Sequence, residues 1–573
     1  MKLIHWLLAA LWLLVPLASF ADTPQPATST VVLPQHAVVA SANAQATDAG
    51  LEVLRMGGNA FDAAVAVSAT LGLVEPESSG LGGGAFMLLH VAKDSRDVFV
   101  DAREKAPLAA TRDMFLDANG QADRSRSVAG PLAAAIPGLP AGLVHLAQEY
   151  GRLPLSKSLA PTIRLAKKGW VFGPKNQTML GFRKADVAKD PAAAAMFLRN
   201  GAPLAVGTRI RNPDYARVLE RLARDGADSY YRGEFAKRLV KGVRDAGGIW
   251  TEEDLAQYRV VEREPIRIGH RGYEIVTAPP PSSAGAAIAE ILHIIDGYDY
   301  ASMARIPRVH LFVEAMRRAF RDRAIYFGDP DFVKVPLALL LSDDYAAGLR
   351  AGINLERAMP SELLPGVQTG PASADTSHFS IIDREGNLAA VTQSVNLPYG
   401  NTLMVPGTGF MLNDHMDDFS VKPGVPNAYG LVGEDANAIA PGKRPLSSMS
   451  PTFLIGKERV AVLGTPGGSR IVTMVLLALV ELMDGRSPQQ TAELPRYHHQ
   501  YLPDTIAVEP GAFDAEEVGQ LEARGHHVAP AERPWGNMHI ATWDPRTGAT
   551  DTGVDNRWKG VGKGGSDGDA VFR

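Results

Sequence analysis

The stretch Ala374-Asp375-Thr376-Ser377-His378 marks the point at which this 573-residue sequence changes character. The residues before it, from about Pro360 to Ala374, are polar and contain proline and glycine, which is typical of an exposed linker. The residues after it form two strand-like runs, Thr376–Ile382 and Leu388–Val395, around the turn Asp383–Asn387. Thr376 is therefore predicted to open a β-hairpin directly after a flexible segment.

A threonine at such a junction indicates a specific chemistry, although a threonine that opens a strand usually has a structural role. Its hydroxyl is a weak nucleophile unless a base lies beside it, and an N-terminal threonine supplies that base as its own α-amine. Free α-amines titrate near ~7.7 to 8.0, close to working pH. The pattern predicts a precursor that its own threonine hydroxyl cuts between Asp375 and Thr376, and that then acts on amide bonds.

A glycine-rich loop, Gly464–Ser469, follows the strand-like run Val460–Leu463 and precedes the apolar helical run Ile471–Met483. Exposed backbone N–H groups at the start of a helix suit an oxyanion or another anion. The loop lacks the Lys-Ser/Thr ending of a phosphate-binding loop, so nucleotide binding is rejected. A tight packing turn is the alternative interpretation.

Two other polar segments are suited to a ligand that carries both a negatively charged carboxylate and a positively charged amine. Lys443–Ser450 contains adjacent hydroxyls that, together with Arg103, can hold a carboxylate, since guanidinium and carboxylate pair through two parallel hydrogen bonds. Asn413–Phe419 is an acidic loop that can bind an amine, with a solvated turn as the alternative. Tyr497–Gln500 contains two histidines but lacks the spacing of metal ligands, so neither a metal nor a cofactor is predicted.

Strands and buried helices alternate along the chain, which favours a layered α/β protein. A buried helix is expected from the turn Gly57-Gly58-Asn59 to Leu73, and then a hairpin with strands Phe86–Val91 and Val98–Asp101. The region from about Leu153 to Leu292 has a mostly amphipathic helical pattern. Helical periodicity continues from Val309 to Tyr326.

Composition bounds the class of protein. A net charge of −5 leaves no electrostatic footprint for nucleic acid, so a small-molecule ligand is favoured.

The N-terminus has the pattern of a secretory signal of residues 1–21, with an uncleaved anchor as the alternative. The pattern consists of Lys2, the apolar run Leu7–Leu17 and Ser19-Phe20-Ala21. The run is shorter than the ~20 residues of a spanning helix, and the sequence has no cysteine. No stable membrane association is expected after signal cleavage, and the protein is predicted to be periplasmic or secreted.

Several short motifs occur in order along the chain. They are Gly57-Gly58-Asn59-Ala60 with Asp62-Ala63-Ala64-Val65, Leu81–Gly84, Asp101–Glu104, Pro279–Ser283, Thr376–Ser380, Met416–Phe419, Pro445–Met449 and Pro466–Gly468. In order and spacing they closely resemble the γ-glutamyltransferases (γ-glutamyl transpeptidases) of the N-terminal nucleophile hydrolase superfamily. The resemblance runs from about Val31 to about Val528.

The resemblance implies a four-layer αββα sandwich formed as one domain by a large subunit, residues 22–375, and a small subunit, residues 376–573. Thr376 would be the nucleophile and the first residue of the small subunit. Ser394 stands where the family usually has a threonine beside the nucleophile, and it keeps the hydroxyl. Gly467 and Gly468 would supply the oxyanion N–H groups.

The resemblance also implies how a γ-glutamyl group would be held. Its α-carboxylate would bind Arg103, Ser447 and Ser448, and its α-amine would bind Asp418 and Asn396. In addition, Tyr429 matches a lid tyrosine that covers the pocket in several bacterial members.

The implied function is cleavage of the γ-glutamyl amide of glutathione and related donors through a threonine acyl-enzyme. The γ-glutamyl group would pass to water or to an amino acid or peptide acceptor. Two alternatives stay open: a glutaryl or cephalosporin acylase of the same family, and a γ-glutamyl-binding protein that is never processed.

His415 departs from the family pattern, since similar members usually carry Gln or Glu at this position facing the α-amine. A protonated imidazole would repel that amine. The substitution predicts that affinity for γ-glutamyl donors falls as the pH drops through the ordinary histidine range near ~6.5.

Overall fold

Two antiparallel β-sheets form the centre of the fold. The strands are β1 (Val38–Ser41), β2 (Gly84–Val91), β3 (Arg96–Ala102), β4 (Val261–Arg263), β5 (Ile266–His270), β6 (Tyr273–Thr277), β7 (Ser377–Ile382), β8 (Leu388–Ser394), β9 (Thr452–Ile455), β10 (Val460–Gly464), β11 (His539–Trp543), β12 (Thr550–Val554) and β13 (Lys563–Ser566). The first sheet has the order β13-β1-β7-β8-β2-β3-β4, and the second has the order β12-β11-β10-β9-β6-β5.

This computed structural model describes residues 31–364, 376–558 and 561–569. The predicted signal sequence, residues 365–374 of the predicted linker, and Asp375 lie outside them. From Val32 onward the chain packs as one unit.

The longer helices are α1 (Ala44–Arg55), α2 (Ala60–Val74), α3 (Leu155–Lys168), α4 (Pro174–Val187), α5 (Pro213–Asp225), α6 (Gly233–Asp245), α7 (Ala284–Ile295), α8 (Arg305–Tyr326), α9 (Asp343–Ala351), α10 (Ile471–Met483) and α11 (Ala515–Ala523). Tyr497–His498, Ile506–Val508 and Val528–Pro530 form a small third sheet. Within the described ranges, no helix combines the length and the apolar character needed to cross a bilayer.

The layers follow from the alternation of side chains along each strand. In β2, Met87 and Leu89 belong to the core that packs against α1 and α2, whereas Phe86 and Leu88 belong to the core shared with the second sheet. On its far side the second sheet packs against α7 and α10. This arrangement confirms the expected four-layer αββα sandwich.

The predicted buried helix is α2, and its start is set by a capping box. The Asn59 side chain accepts hydrogen bonds from the N–H groups of Phe61 and Asp62, and the Asp62 carboxylate accepts one from the Asn59 N–H. Such reciprocal caps satisfy donors that have no partner inside the helix. All fifteen residues of α2 are buried, as the apolar sequence predicts.

The prediction of mostly helix between Leu153 and Leu292 was wrong for residues 261–277, which form β4, β5 and β6. These strands are short, and their pairing partners decide their conformation. β5 pairs with β6. β4 pairs with β3, and β6 pairs with β9. Long-range pairing therefore overrides the local helical pattern there.

The described start of the predicted linker also differs from an exposed segment. Ser361–Leu363 forms one helical turn, and the Ser361 side chain is fully buried. Its hydroxyl donates a hydrogen bond of 2.6 Å to the carbonyl of Tyr501. This part of the segment is therefore fixed to the small third sheet region of the chain.

Candidate active site

Thr376 lies immediately before β7 and beside the end of β8, because Ser377 pairs with Gln393 in the ladder. It is 4% exposed. Its Oγ1 lies 3.1 Å from Ser394 Oγ, which in turn accepts a hydrogen bond of 2.8 Å from the Asn396 N–H. The two hydroxyls form the contact expected of a nucleophile and a supporting residue.

A small pocket of about 30 Å³ opens at this hydroxyl pair. The predicted residues that line it are Thr376, Ser394, Arg103, Asn396, His415, Asp418, Tyr429, Ser447, Ser448 and Gly468. Gly467 lines a neighbouring cleft instead, and Asp375 lies outside the described residues. Residues from both sides of the predicted cut therefore meet in one ligand pocket.

The glycine loop connects β10 to α10 through a short turn, Gly468–Arg470. Gly467 has φ +145° and Gly468 has φ +57°, backbone values that favour glycine. A Cβ on Gly467 would lie 2.4 Å from Met474 Cε, so the end of the Met474 side chain would have to move to admit it. Neither amide N–H donates a hydrogen bond to any described residue, so both are free to stabilise an oxyanion.

Arg103 and Asp418 pair with each other across the pocket. One Arg103 Nη2 hydrogen bond is donated to Asp418 Oδ2, and the Arg103 side chain is only 1% exposed. Its Nε also donates to the Pro445 carbonyl at 3.2 Å, which fixes the guanidinium. A ligand with a carboxylate and an ammonium group can exchange for this pair, giving each protein charge a new partner of opposite sign.

Ser447 and Ser448 are positioned by the predicted turn Pro279–Ser283. The Ser447 N–H donates to the Pro281 carbonyl at 2.8 Å, and the Ser283 N–H donates to the Ser447 carbonyl at 2.9 Å. The Ser448 hydroxyl is buried and has no hydrogen-bond partner among the described residues. Since an unpaired buried hydroxyl is costly, it is suited to a ligand carboxylate.

Asn396 and Tyr429 close the pocket next to the hydroxyl pair. Asn396 has φ +81°, and its side-chain amide donates to the Asp414 carbonyl at 3.0 Å. The Tyr429 hydroxyl donates to Asn396 Oδ1. The tyrosine therefore covers the pocket, the position that the resemblance implies for a lid.

Glu104 is a member of the site that was not predicted as a functional residue, although it follows Arg103 in a quoted motif. Its Oε1 lies 2.8 Å from His415 Nδ1, and its Oε2 accepts from Arg103 Nη1 at 3.3 Å. Burial raises the pKa of this carboxyl, but His415 and Arg103 lower it more, so the pKa of Glu104 falls below its ordinary value. Glu104 therefore stays ionised beside His415.

Arg323 is a second unpredicted residue in the lining, and it comes from α8. Burial lowers its pKa to about 10, and attraction to Asp418 opposes that shift. Its Nε has no hydrogen-bond partner among the described residues. Because α8 is buried over most of its surface and contains several arginines, its sequence gives no signal that distinguishes Arg323.

Among the residues that the structure describes, one group of buried side chains has the spacing of metal ligands, namely His310, Glu314 and His526. Its atoms already have other partners. His310 Nδ1 and His526 Nε2 are hydrogen-bonded to each other at 2.7 Å, and Glu314 accepts hydrogen bonds from Arg317 and Arg318. We therefore assign no metal to it.

Comparison with known proteins supports the likeness in sequence. The family model for gamma-glutamyltranspeptidase matches residues 46–565. The glutathione hydrolase proenzyme of Pseudomonas sp. (strain A14) is 44% identical over 502 residues, which are 86% of this chain and 87% of that protein. The glutathione hydrolase proenzyme of Escherichia coli (strain K12) is 41% identical over 501 residues, which are 86% of each chain.

Solved structures share the fold. A cephalosporin acylase from Bacillus halodurans superposes with a TM-score of 0.81 at 29% sequence identity. The match covers 96% of this chain and 99% of that one. The likeness therefore extends over both sides of the predicted cut.

Proposed function

The chain belongs to the gamma-glutamyltranspeptidase family, and from this premise we propose that it cleaves the γ-glutamyl amide of glutathione and related donors. It is an enzyme of the glutathione hydrolase type, and it transfers the γ-glutamyl group to water or to an amino acid or peptide. The observation that carries the assignment is the Arg103–Asp418 pair in the same pocket as the Thr376 hydroxyl. That pair matches the α-carboxylate and α-amine of a γ-glutamyl group.

In the first half of the reaction, Thr376 Oγ1 attacks the γ-amide carbonyl and forms an ester with the γ-glutamyl group. The Thr376 α-amine, once liberated, takes the hydroxyl proton and gives it to the leaving amine. The N–H groups of Gly467 and Gly468 stabilise the negative charge on the carbonyl oxygen. Ser394 orients the attacking hydroxyl through its 3.1 Å contact.

In the second half, water or an amine attacks the ester, and Thr376 Oγ1 recovers its proton. Water releases glutamate, and an amino acid or peptide yields a new γ-glutamyl amide. Arg103, Ser447 and Ser448 hold the donor carboxylate, while Asp418 and Asn396 hold its amine. Two fixed opposite charges explain specificity for a zwitterionic donor, because a ligand that lacks one charge leaves a buried group unpaired.

We infer that the precursor is processed before it acts. Residues 1–21 are removed as a signal, and Thr376 cuts its own bond to Asp375. The products are a large subunit of residues 22–375 and a small subunit of residues 376–573, which remain together because β7 and β8 lie between β1 and β2 in one sheet. The heterodimer is periplasmic or secreted and has no stable membrane association.

The structural likeness to a cephalosporin acylase supports a second candidate function, namely cleavage of glutaryl amides, which lack the α-amine. Matched γ-glutamyl and glutaryl p-nitroanilides distinguish the two with the purified protein. We expect the γ-glutamyl anilide to have the higher kcat/KM by ~100-fold or more, because a glutaryl group separates Arg103 from Asp418 without replacing the lost cation. A higher value for the glutaryl anilide would assign the chain as an acylase. A single full-length band without turnover would indicate a binding protein.

His415 leads to a prediction on pH. The test compares the inhibition constant of L-glutamate for the wild-type protein and His415→Gln between pH 8 and 5, because histidine can gain a positive charge near the α-amine and glutamine cannot. We expect the wild-type protein to lose about threefold to tenfold more affinity at the low pH than His415→Gln does. Glu104 at 2.8 Å limits the difference. Charge on the Thr376 amine affects both proteins alike, and an identical pH profile in both would contradict the prediction.

A further inference from the structure

A second cavity, of about 420 Å³, lies between α8, α10 and the small third sheet. It shares no lining residue with the ligand pocket. Its volume falls in the range of ~300 to 1,000 Å³ that is usual for small-molecule sites. Met474 of α10 lines this cavity, and the methyl group at the end of its side chain lies against Gly467 of the glycine loop. A ligand in the cavity would therefore touch a side chain that also touches the catalytic loop.

The apolar surface of the cavity is suited to an aromatic ring. Three methionines and three aromatic residues contribute to it: Met303, Met474, Met538, Phe312, Tyr497 and Phe513. The rings of Tyr497 and Phe513 pack with their centres 5.6 Å apart. Methionine side chains adapt their shape to a ligand, and their sulfur atoms make favourable contacts with aromatic rings.

The charged side chains of the cavity favour an anion. They are Arg305, Arg308, Arg486, Arg496 and Glu481, which are four guanidinium groups and one carboxylate. Arg486 pairs with Glu481, while Arg305 and Arg496 pair with the more distant Glu517 and Asp555. Arg308 has to share Asp484 with Arg271, at 3.0 and 2.6 Å. Two guanidinium groups on one carboxylate leave an excess of positive charge beside the cavity, which attracts a carboxylate.

Tyr497 adds a hydrogen-bond donor at the same place. Its hydroxyl makes no hydrogen bond with any residue that the structure describes. Burial raises the pKa of Tyr497, nearby Arg308 opposes that shift, and Glu481 adds to it. The hydroxyl therefore keeps its proton and can donate it to an anion that Arg308 attracts.

We propose that this cavity binds a small carboxylate that carries an aromatic ring, and that the bound ligand slows turnover by pressing Met474 against the glycine loop. The ligand carboxylate accepts a hydrogen bond from the Tyr497 hydroxyl and faces Arg308, and its ring packs between Met474 and Phe312. The site is additional to the pocket of the donor, and the inference goes beyond the proposed function.

Binding is tested by isothermal titration calorimetry with 4-phenylbutyrate and with its uncharged counterpart 4-phenylbutanamide. We expect the carboxylate to bind about tenfold more tightly than the amide, and Tyr497→Phe to weaken its binding by a similar factor, the range of a hydrogen bond to a charged group. Leu477→Trp should abolish the binding heat, because Leu477 is a partly buried residue of the lining and the larger ring fills the cavity.

Tyr298→Phe is the matched control for the loss of a hydroxyl. The Tyr298 hydroxyl also lacks a hydrogen bond among the described residues, and Tyr298 does not line the cavity. This variant should bind 4-phenylbutyrate as the wild-type protein does. Equal affinities of the wild-type protein for the acid and the amide, or an unchanged affinity in Tyr497→Phe, would overturn the inference.

The effect on turnover is measured with γ-glutamyl-p-nitroanilide at increasing concentrations of 4-phenylbutyrate. Saturating 4-phenylbutyrate should lower kcat by about threefold or more with little change in KM, because small displacements of oxyanion donors reduce the rate. A rise in KM alone would mean that the probe competes in the donor pocket, and an unchanged kcat would mean that the cavity does not act on the loop; either result would overturn the inference. Absence of donor turnover by the wild-type protein would refute the proposed function, whereas calorimetry tests the cavity without turnover.

Discussion

Thr376→Ala is expected to leave the chain full-length and to reduce turnover of γ-glutamyl-p-nitroanilide by at least about 10⁴-fold, the scale seen when a nucleophile is removed. The substitution removes the oxygen that attacks both the preceding peptide bond and the donor amide. Without a cut, no α-amine is available as a base. A denaturing gel and the intact mass report processing, and release of nitroaniline reports turnover.

Two variants separate loss of the hydroxyl from a general disturbance at the start of β7. Thr376→Ser keeps an attacking oxygen and should be cut, though more slowly. Ser377→Ala removes the adjacent hydroxyl, which donates to Glu75 and does not line the pocket, and this variant should also be cut. Two subunit bands from Thr376→Ala would mean that another agent makes the cut, and full activity would exclude Thr376 as the nucleophile.

Much of the fold could be predicted where local and long-range preferences agree. α2 is mostly apolar and has its own capping residues, and the β7–β8 hairpin has two strand-like runs, buried at every residue, around a turn sequence. By contrast, β4 to β6 have three to five residues each and follow a helical region, so distant partners decide their conformation. Their interpretation as helix failed for that reason.

In the candidate site, too, some residues could be predicted from local sequence and others depend on distant parts of the chain. The glycine loop, the adjacent serines and Arg103 could be identified because each belongs to a motif that is recognisable from neighbouring residues in the sequence. Glu104 and Arg323 could not, because their importance arises from what they face: Glu104 faces His415, and Arg323 lies near Asp418. These residues are brought together by the packing of α8 and the loops around the two sheets. The spacing of residues along the sequence does not predict such contacts.

The second prediction with a large expected effect concerns the Arg103–Asp418 pair and the binding of the donor amine. Asp418 has Arg103 as its partner, and a donor carboxylate would draw Arg103 away. The donor amine must then replace that cation, because a buried carboxylate without a partner costs about 3 to 5 kcal/mol. Arg323 lies close enough to attract Asp418, but it makes no hydrogen bond to it, so it offsets only part of this cost.

Asp418→Asn should therefore lower kcat/KM for γ-glutamyl-p-nitroanilide by about 100-fold or more, since the neutral amide no longer attracts the donor amine. The glutaryl anilide has no amine to lose, so its kcat/KM should change little or rise, and the ratio between the substrates should fall by a similar factor. Asp417→Asn is the control, because Asp417 is the adjacent buried carboxylate and bonds to Ser127 and the Ala428 N–H outside the pocket lining. Equal losses on both anilides in Asp418→Asn would show that Asp418 supports the structure of the loop, and would contradict its role as the partner of the α-amine.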